Sequence, residues 1–128
     1  MYDLPDDFNP AVFVGGHLVM ISFGVGTIHL EFELNPNPTP GNGIHASIVS
    51  QGHITLYLPE GKSHVEVGAY ASISKLGVLL NESVTKASVT GRQSIRIEFG
   101  NDVAVELDDD GDGFESYAIY LPGVMINV

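Results

Sequence analysis

The run Asp108-Asp109-Asp110-Gly111-Asp112-Gly113 sets carboxylates at alternate positions ahead of a glycine turn. A calcium loop gathers its six to eight oxygen ligands in this way. Asp108, Asp110 and Asp112 fall at the first, third and fifth positions of such a loop, and Gly113 falls at the sixth. The twelfth position is Ile119 where a bidentate Glu is required, and the flanking residues read as strands instead of helices, so an EF-hand is excluded. Three readings remain open: a weak calcium site on Asp108, Asp110 and Asp112, an acidic loop that binds a protein, and a solvated turn.

Other chemistry has less to stand on. His29 alternates with Glu31 and Glu33 on the polar side of a strand pattern, His17, His53 and His64 stand at strand starts, and His45 carries no signal. With no HExxH and no close histidine pair, solvated or capping roles are expected in place of zinc ligation. Glu31 and Glu106 occupy equivalent places in two similar hairpins, Ile21-Ser22-Phe23-Gly24 to Ile28-His29-Leu30-Glu31-Phe32 and Ile97-Glu98-Phe99-Gly100 to Val103-Ala104-Val105-Glu106-Leu107. An internal duplication gives that likeness, and so does any pair of half-buried hairpins. The two carboxylates could serve glycoside hydrolysis only at a defined separation with one pKa raised, and neither condition can be read from spacing. There is no nucleophile elbow and no glycine-rich phosphate loop before a helix. The expectation is a non-enzyme without cofactor.

The elements that position these residues are mostly strands. Thr27 to Leu34 alternates without a break, with Ile28, Leu30, Phe32 and Leu34 on one face, as a strand with one buried side does. The same pattern holds for His53–Leu58, His64–Val67, Ile95–Phe99 and Val103–Leu107, and Tyr117–Leu121 with Val124–Val128 closes the chain as a pair. Gly24-Val25-Gly26, Pro59-Glu60-Gly61-Lys62, Gly100-Asn101-Asp102 and Pro122-Gly123 supply compact turns. Residues 35–43, with Pro36, Pro38 and Pro40, cannot enter a ladder and are expected as a loop. One segment reads as helix, Ser72–Leu80, with Ile73, Leu76, Leu79 and Leu80 at helical spacing and Ser72 or Ser74 as cap. The expected fold is mostly β or α+β: residues 1–128 as a single domain, an antiparallel sheet of hairpins forming a sandwich or half-barrel, with one short helix.

Composition supports a folded chain of this size. Its 128 residues are 44% hydrophobic and 16% charged, apolar enough to offset chain entropy. No run approaches the ~20 apolar residues of a membrane helix. The acidic start, Met1 to Asp7, is unlike a secretory signal, and the absence of cysteine fits a reducing compartment. A cytoplasmic protein is expected.

Net charge is −11, and its placement matters more than its size. All five cations, Lys62, Lys75, Lys86, Arg92 and Arg96, lie mid-chain. From Ile97 onward there is none, while Glu98, Asp102, Glu106, Asp108, Asp109, Asp110, Asp112 and Glu115 supply half of the sixteen acids. Such a block repels nucleic acid and anionic membranes and attracts a basic protein.

From Lys75 to the C-terminus the order is a Leu-Gly-rich helix, a Val strand, an Ile-x-Phe-Gly to Val-x-Val hairpin, an acidic turn, then Phe114-Glu115-Ser116-Tyr117 and a short terminal hairpin. This half resembles a small bacterial domain family of unknown function with a Glu-x-aromatic motif after a hairpin, matched by Glu115 and Tyr117. Tyr stands where that motif has Trp. In size, acidity and β-rich build the chain is similar to immunity proteins of bacterial toxin delivery systems of the contact-dependent growth inhibition type. That resemblance implies a cognate basic toxin, of nuclease type, covered by an acidic hairpin. The expected partner-binding residues are Glu106, Asp108, Asp109, Asp110, Asp112 and Glu115, with Tyr117, Tyr120 and Phe114 as aromatic anchors or, for Phe114 above all, core. The alternatives are a structural β module that self-associates through an edge strand, and a calcium-responsive domain.

Overall fold

A computed structural model describes residues 3–34, 44–51, 53–66, 68–108 and 117–128. The strands are β1 His17–Phe23, β2 Ile28–Leu34, β3 Ile44–Ser50, β4 His53–Leu58, β5 Gly61–Val65, β6 Val84–Gly91, β7 Ser94–Phe99, β8 Ala104–Asp108, β9 Tyr117–Leu121 and β10 Val124–Asn127. They form two five-stranded antiparallel sheets, ordered β1-β2-β3-β9-β10 (sheet A) and β5-β4-β8-β7-β6 (sheet B). Their inner faces share one core. From sheet A come Leu18, Leu30, Phe32, Ile48 and Ile119, and from sheet B Ile54, Leu56, Ile97, Val105 and Leu107, all fully buried.

The expected alternation is realised in β2, where Ile28, Leu30, Phe32 and Leu34 are buried and His29, Glu31 and Glu33 face outward. β3 stood outside the pattern because two of its inward residues are small: Ala46 and Ser50 flank Ile48, so no apolar period shows. β5 begins earlier than its own residues announce, since Gly61 and Lys62 are drawn into the ladder by Leu58 and Tyr57 of β4. The Pro122-Gly123 turn is as expected, with Gly123 at φ 74°, the value that position two of a type II turn demands. Residues 35–43 lie outside the described residues.

The expected helix is corrected in kind and extent. An α-turn, α1, covers only Tyr70–Ile73, and Ser74–Leu79 continues as a 3-10 helix. Its buried residues Ile73, Leu76 and Leu79 are three apart, the repeat of a 3-10 helix, while Leu80 points to solvent. Ala69 stands at the N-cap, and Ser72 instead bonds back to the Ala69 carbonyl while accepting from the Glu66 amide.

Residues 3–16 run along β6 and close the side where the two sheets meet. The Leu4 amide donates to Arg92 and the Gly15 amide to Val84, whose own amide donates to Gly16. The 3-10 turn Pro10–Phe13 inserts Phe13 edge-on against Phe32, with ring centres 5.1 Å apart. Gly16 passes so close to β2 that an added Cβ would lie 2.7 Å from the Glu33 carbonyl oxygen.

Candidate functional site

Two chain crossings between the sheets determine where the acidic segment goes. β3 ends at Ser50, paired with Tyr117, and β4 begins at His53, paired with Asp108. β8 therefore ends in sheet B beside the start of β4, and β9 begins in sheet A beside the end of β3. β8 and β9 are not ladder partners, so Glu106 and Asp108 do not stand on one two-stranded ladder with Tyr117 and Tyr120. Asp109, Asp110, Asp112, Phe114 and Glu115 lie outside the described residues, and with them two of the three carboxylates of the weak calcium candidate.

Of the described members of the expected site, Glu106 and Asp108 are neighbours, but Tyr117 and Tyr120 lie apart from them and from each other. Tyr117 is in the core at 1% exposure, and its hydroxyl donates to the Gln93 carbonyl at 3.0 Å, tying sheet A to the β6–β7 turn. It is a packing residue, because an odd position in β9 points inward with Ile119. Tyr120, one step on, points outward from sheet A at 41% exposure. Glu106 and Asp108 belong to the outer face of sheet B, on the far side of the molecule's core from Tyr120.

On that face the register lines up His64, Thr55, Glu106, Arg96 and Ser88 in one row across five strands, and Lys62, Tyr57, Ala104, Glu98 and Lys86 in the next. The Arg96 guanidinium lies 4.4 Å above the Tyr57 ring and 3.8 Å from Glu106, and Lys86 is 4.0 Å from Glu98. Asp108 accepts from the Ser94 hydroxyl. Burial pushes the Glu106 carboxyl above its ordinary 4.5; Asp108 adds to the rise by its charge and a hydrogen bond, and Arg96 opposes it. The acids here are thus already occupied, and the strands of sheet B carry three cations (Lys62, Lys86, Arg96) against three acids (Glu98, Glu106, Asp108). A groove of about 420 Å³ runs over Tyr57, Arg96, Glu98 and Ala104. Glu31 and Glu106 occupy opposite outer faces and cannot act as a pair.

Sheet A is different in charge. Its five strands contain Glu31 and Glu33 and no Lys or Arg, because every cation of the chain lies in sheet B or in the connections between its strands. One row across its outer face reads Met20, Glu31, Ser47, Tyr120 and Met125. Met20 and Met125 are 55% and 56% exposed, an apolar margin on either side of a polar centre. Glu33 stands between His17 and His45 in the neighbouring row. Among the described residues no three His, Asp or Glu side chains converge to hold a metal ion, and no helix is long and apolar enough to cross a membrane. The alternation of β2 puts Glu31 on an outward face, whereas Ser47 and its neighbours in β3 carry no such signal in the sequence.

No family model, curated protein or solved structure matches the chain.

Proposed function

We propose that this chain is a non-catalytic binding module of the immunity type, which neutralises a basic, nuclease-type toxin in the cytoplasm by covering its cationic substrate groove. The observation that carries this reading is the segregation of charge by sheet: sheet A has no cation of its own, and the acidic segment 108–115 leads into its strand β9. A groove that holds phosphate is cationic, so a carboxylate-bearing surface both fits it and excludes its substrate. Opposed fields raise association rates by about 10 to 1,000-fold and are weakened by salt. A standard interface takes about 800 Å² from each partner, close to an eighth of the 6704 Å² this chain exposes.

The test uses the product of the neighbouring gene as probe. A stoichiometric complex is expected, with inhibition of that product and with an association rate constant that falls about tenfold between low and physiological salt. Changing Asp109, Asp110 and Asp112 to Asn and Glu115 to Gln together should slow association by about tenfold at low salt. Unchanged rates in that variant would remove the acidic segment from the binding account.

A further inference from the structure

We propose that the notch over Ser47 on the outer face of sheet A receives an arginine side chain of the basic protein partner, an inference that rests on the binding function above. The notch has a volume of about 160 Å³ and is lined by Glu31, His45, Ser47, Tyr120, Leu121 and Pro122, with Ala46 beneath. Its shape follows from the register. Ser47 is directly opposite Glu31 on one side and Tyr120 on the other, and facing residues on neighbouring strands have Cβ atoms about 4.5–5.5 Å apart. A carboxylate and an aromatic ring therefore stand about two strand spacings apart over a residue too short to fill the space between them.

That pairing suits a guanidinium in particular. Its flat face stacks on a tyrosine ring while its edge presents forked donors to a carboxylate, and it sheds water more readily than an ammonium. The Ser47 hydroxyl beneath can accept a further donor. Glu31 is also uncommitted: among the described residues it makes no ion pair or hydrogen bond, whereas Glu98, Glu106 and Asp108 on sheet B each have a partner. Sheet A contains no Lys or Arg to supply a permanent cation, and its histidines His17, His29 and His45 form no ion pair with Glu31 among the described residues. Met20 beyond Glu31 and Met125 beyond Tyr120 extend the row as flexible apolar shoulders, which would shield the seated cation from water.

The experiment titrates the full chain with nona-arginine and, separately, nona-lysine, reading backbone amide shifts by NMR and affinity by calorimetry at low salt. The expected result is saturable shifts at Glu31, Ser47 and Tyr120, with the arginine peptide the tighter ligand. Glu31→Gln and Tyr120→Leu, both outward-facing and spared by the core, should each weaken the arginine peptide by about tenfold. Tyr120→Phe should retain most of the affinity. Shifts confined to residues 108–116, with Glu31→Gln binding as the unaltered chain does, would overturn the notch and leave the acidic binding function standing. Equal affinity for both peptides at the notch would overturn its preference for guanidinium. No binding of either peptide would overturn the notch, whereas the binding function itself stands or falls with the complex formed with the neighbouring gene's product.

Discussion

Glu106 is the residue whose sequence and structural meanings diverge most. Spacing put it at the head of an acidic block, free to meet a partner; the register puts it mid-sheet, against Arg96 and beside Asp108. Its raised pKa gives a testable sign. The folded state holds the proton more tightly than the unfolded chain, so the contribution of Glu106 to stability is fully present below its ordinary 4.5 and is lost as pH rises through the higher folded value. Glu106→Gln should therefore flatten the decline of the melting temperature in the window just above 4.5. A slope equal to that of the unaltered chain would show that burial and Asp108 do not perturb this carboxyl. Tyr117 and Tyr120 teach a related lesson: two tyrosines three apart in one strand point to opposite faces, one into the core and one into the proposed arginine notch.

At the scale of elements, the N-terminal segment does work that no periodic pattern announces. Residues 3–16 bond to Arg92 just beyond β6 at one end and to Val84 of β6 at the other, and they carry Phe13 into the core. Two glycines separate close approach from mere flexibility. Gly16→Ala should cost about 1–3 kcal/mol, because the new methyl meets backbone atoms of β2 that cannot yield. Gly77→Ala, with nothing within 4 Å of the added atom, should be neutral or stabilise by up to about 1 kcal/mol. Urea titrations of both variants check the contrast, and a Gly16→Ala as stable as the parent would show that the segment is not clamped against β2.

For the whole molecule, one shared core predicts one unfolding transition. Leu30 and Phe32 from one sheet and Ile97 and Val105 from the other are buried in the same cluster, so neither sheet retains an inner face if the other melts. Thermal unfolding followed by far-ultraviolet and near-ultraviolet circular dichroism should coincide; separate midpoints would mean that the sheets are independent units. The charge division is also a property of the whole. An even distribution of −11 would give a uniformly acidic surface, whereas here sheet B is matched and sheet A is not. The alternative of a self-associating module draws on β10, the end strand of sheet A, where Val124 and Met125 are exposed.

The sequence alone determined that this is an antiparallel β chain with an acidic C-terminal quarter. A strand half in water must alternate, and charge is additive along a chain. It located β2, β4, β7, β8, β9 and β10 and the turns between most of them. It missed β3, whose inward Ala46 and Ser50 leave no apolar period, and it read a 3-10 helix as α because both periods fit so few residues. Only the tertiary structure decided which strands are neighbours across space. That assignment split β8 and β9 between sheets, separated Glu106 from Tyr120, and set Glu31, Ser47 and Tyr120 side by side. Pairing between distant strands depends on how two whole sheets bury a common face, which local alternation does not encode.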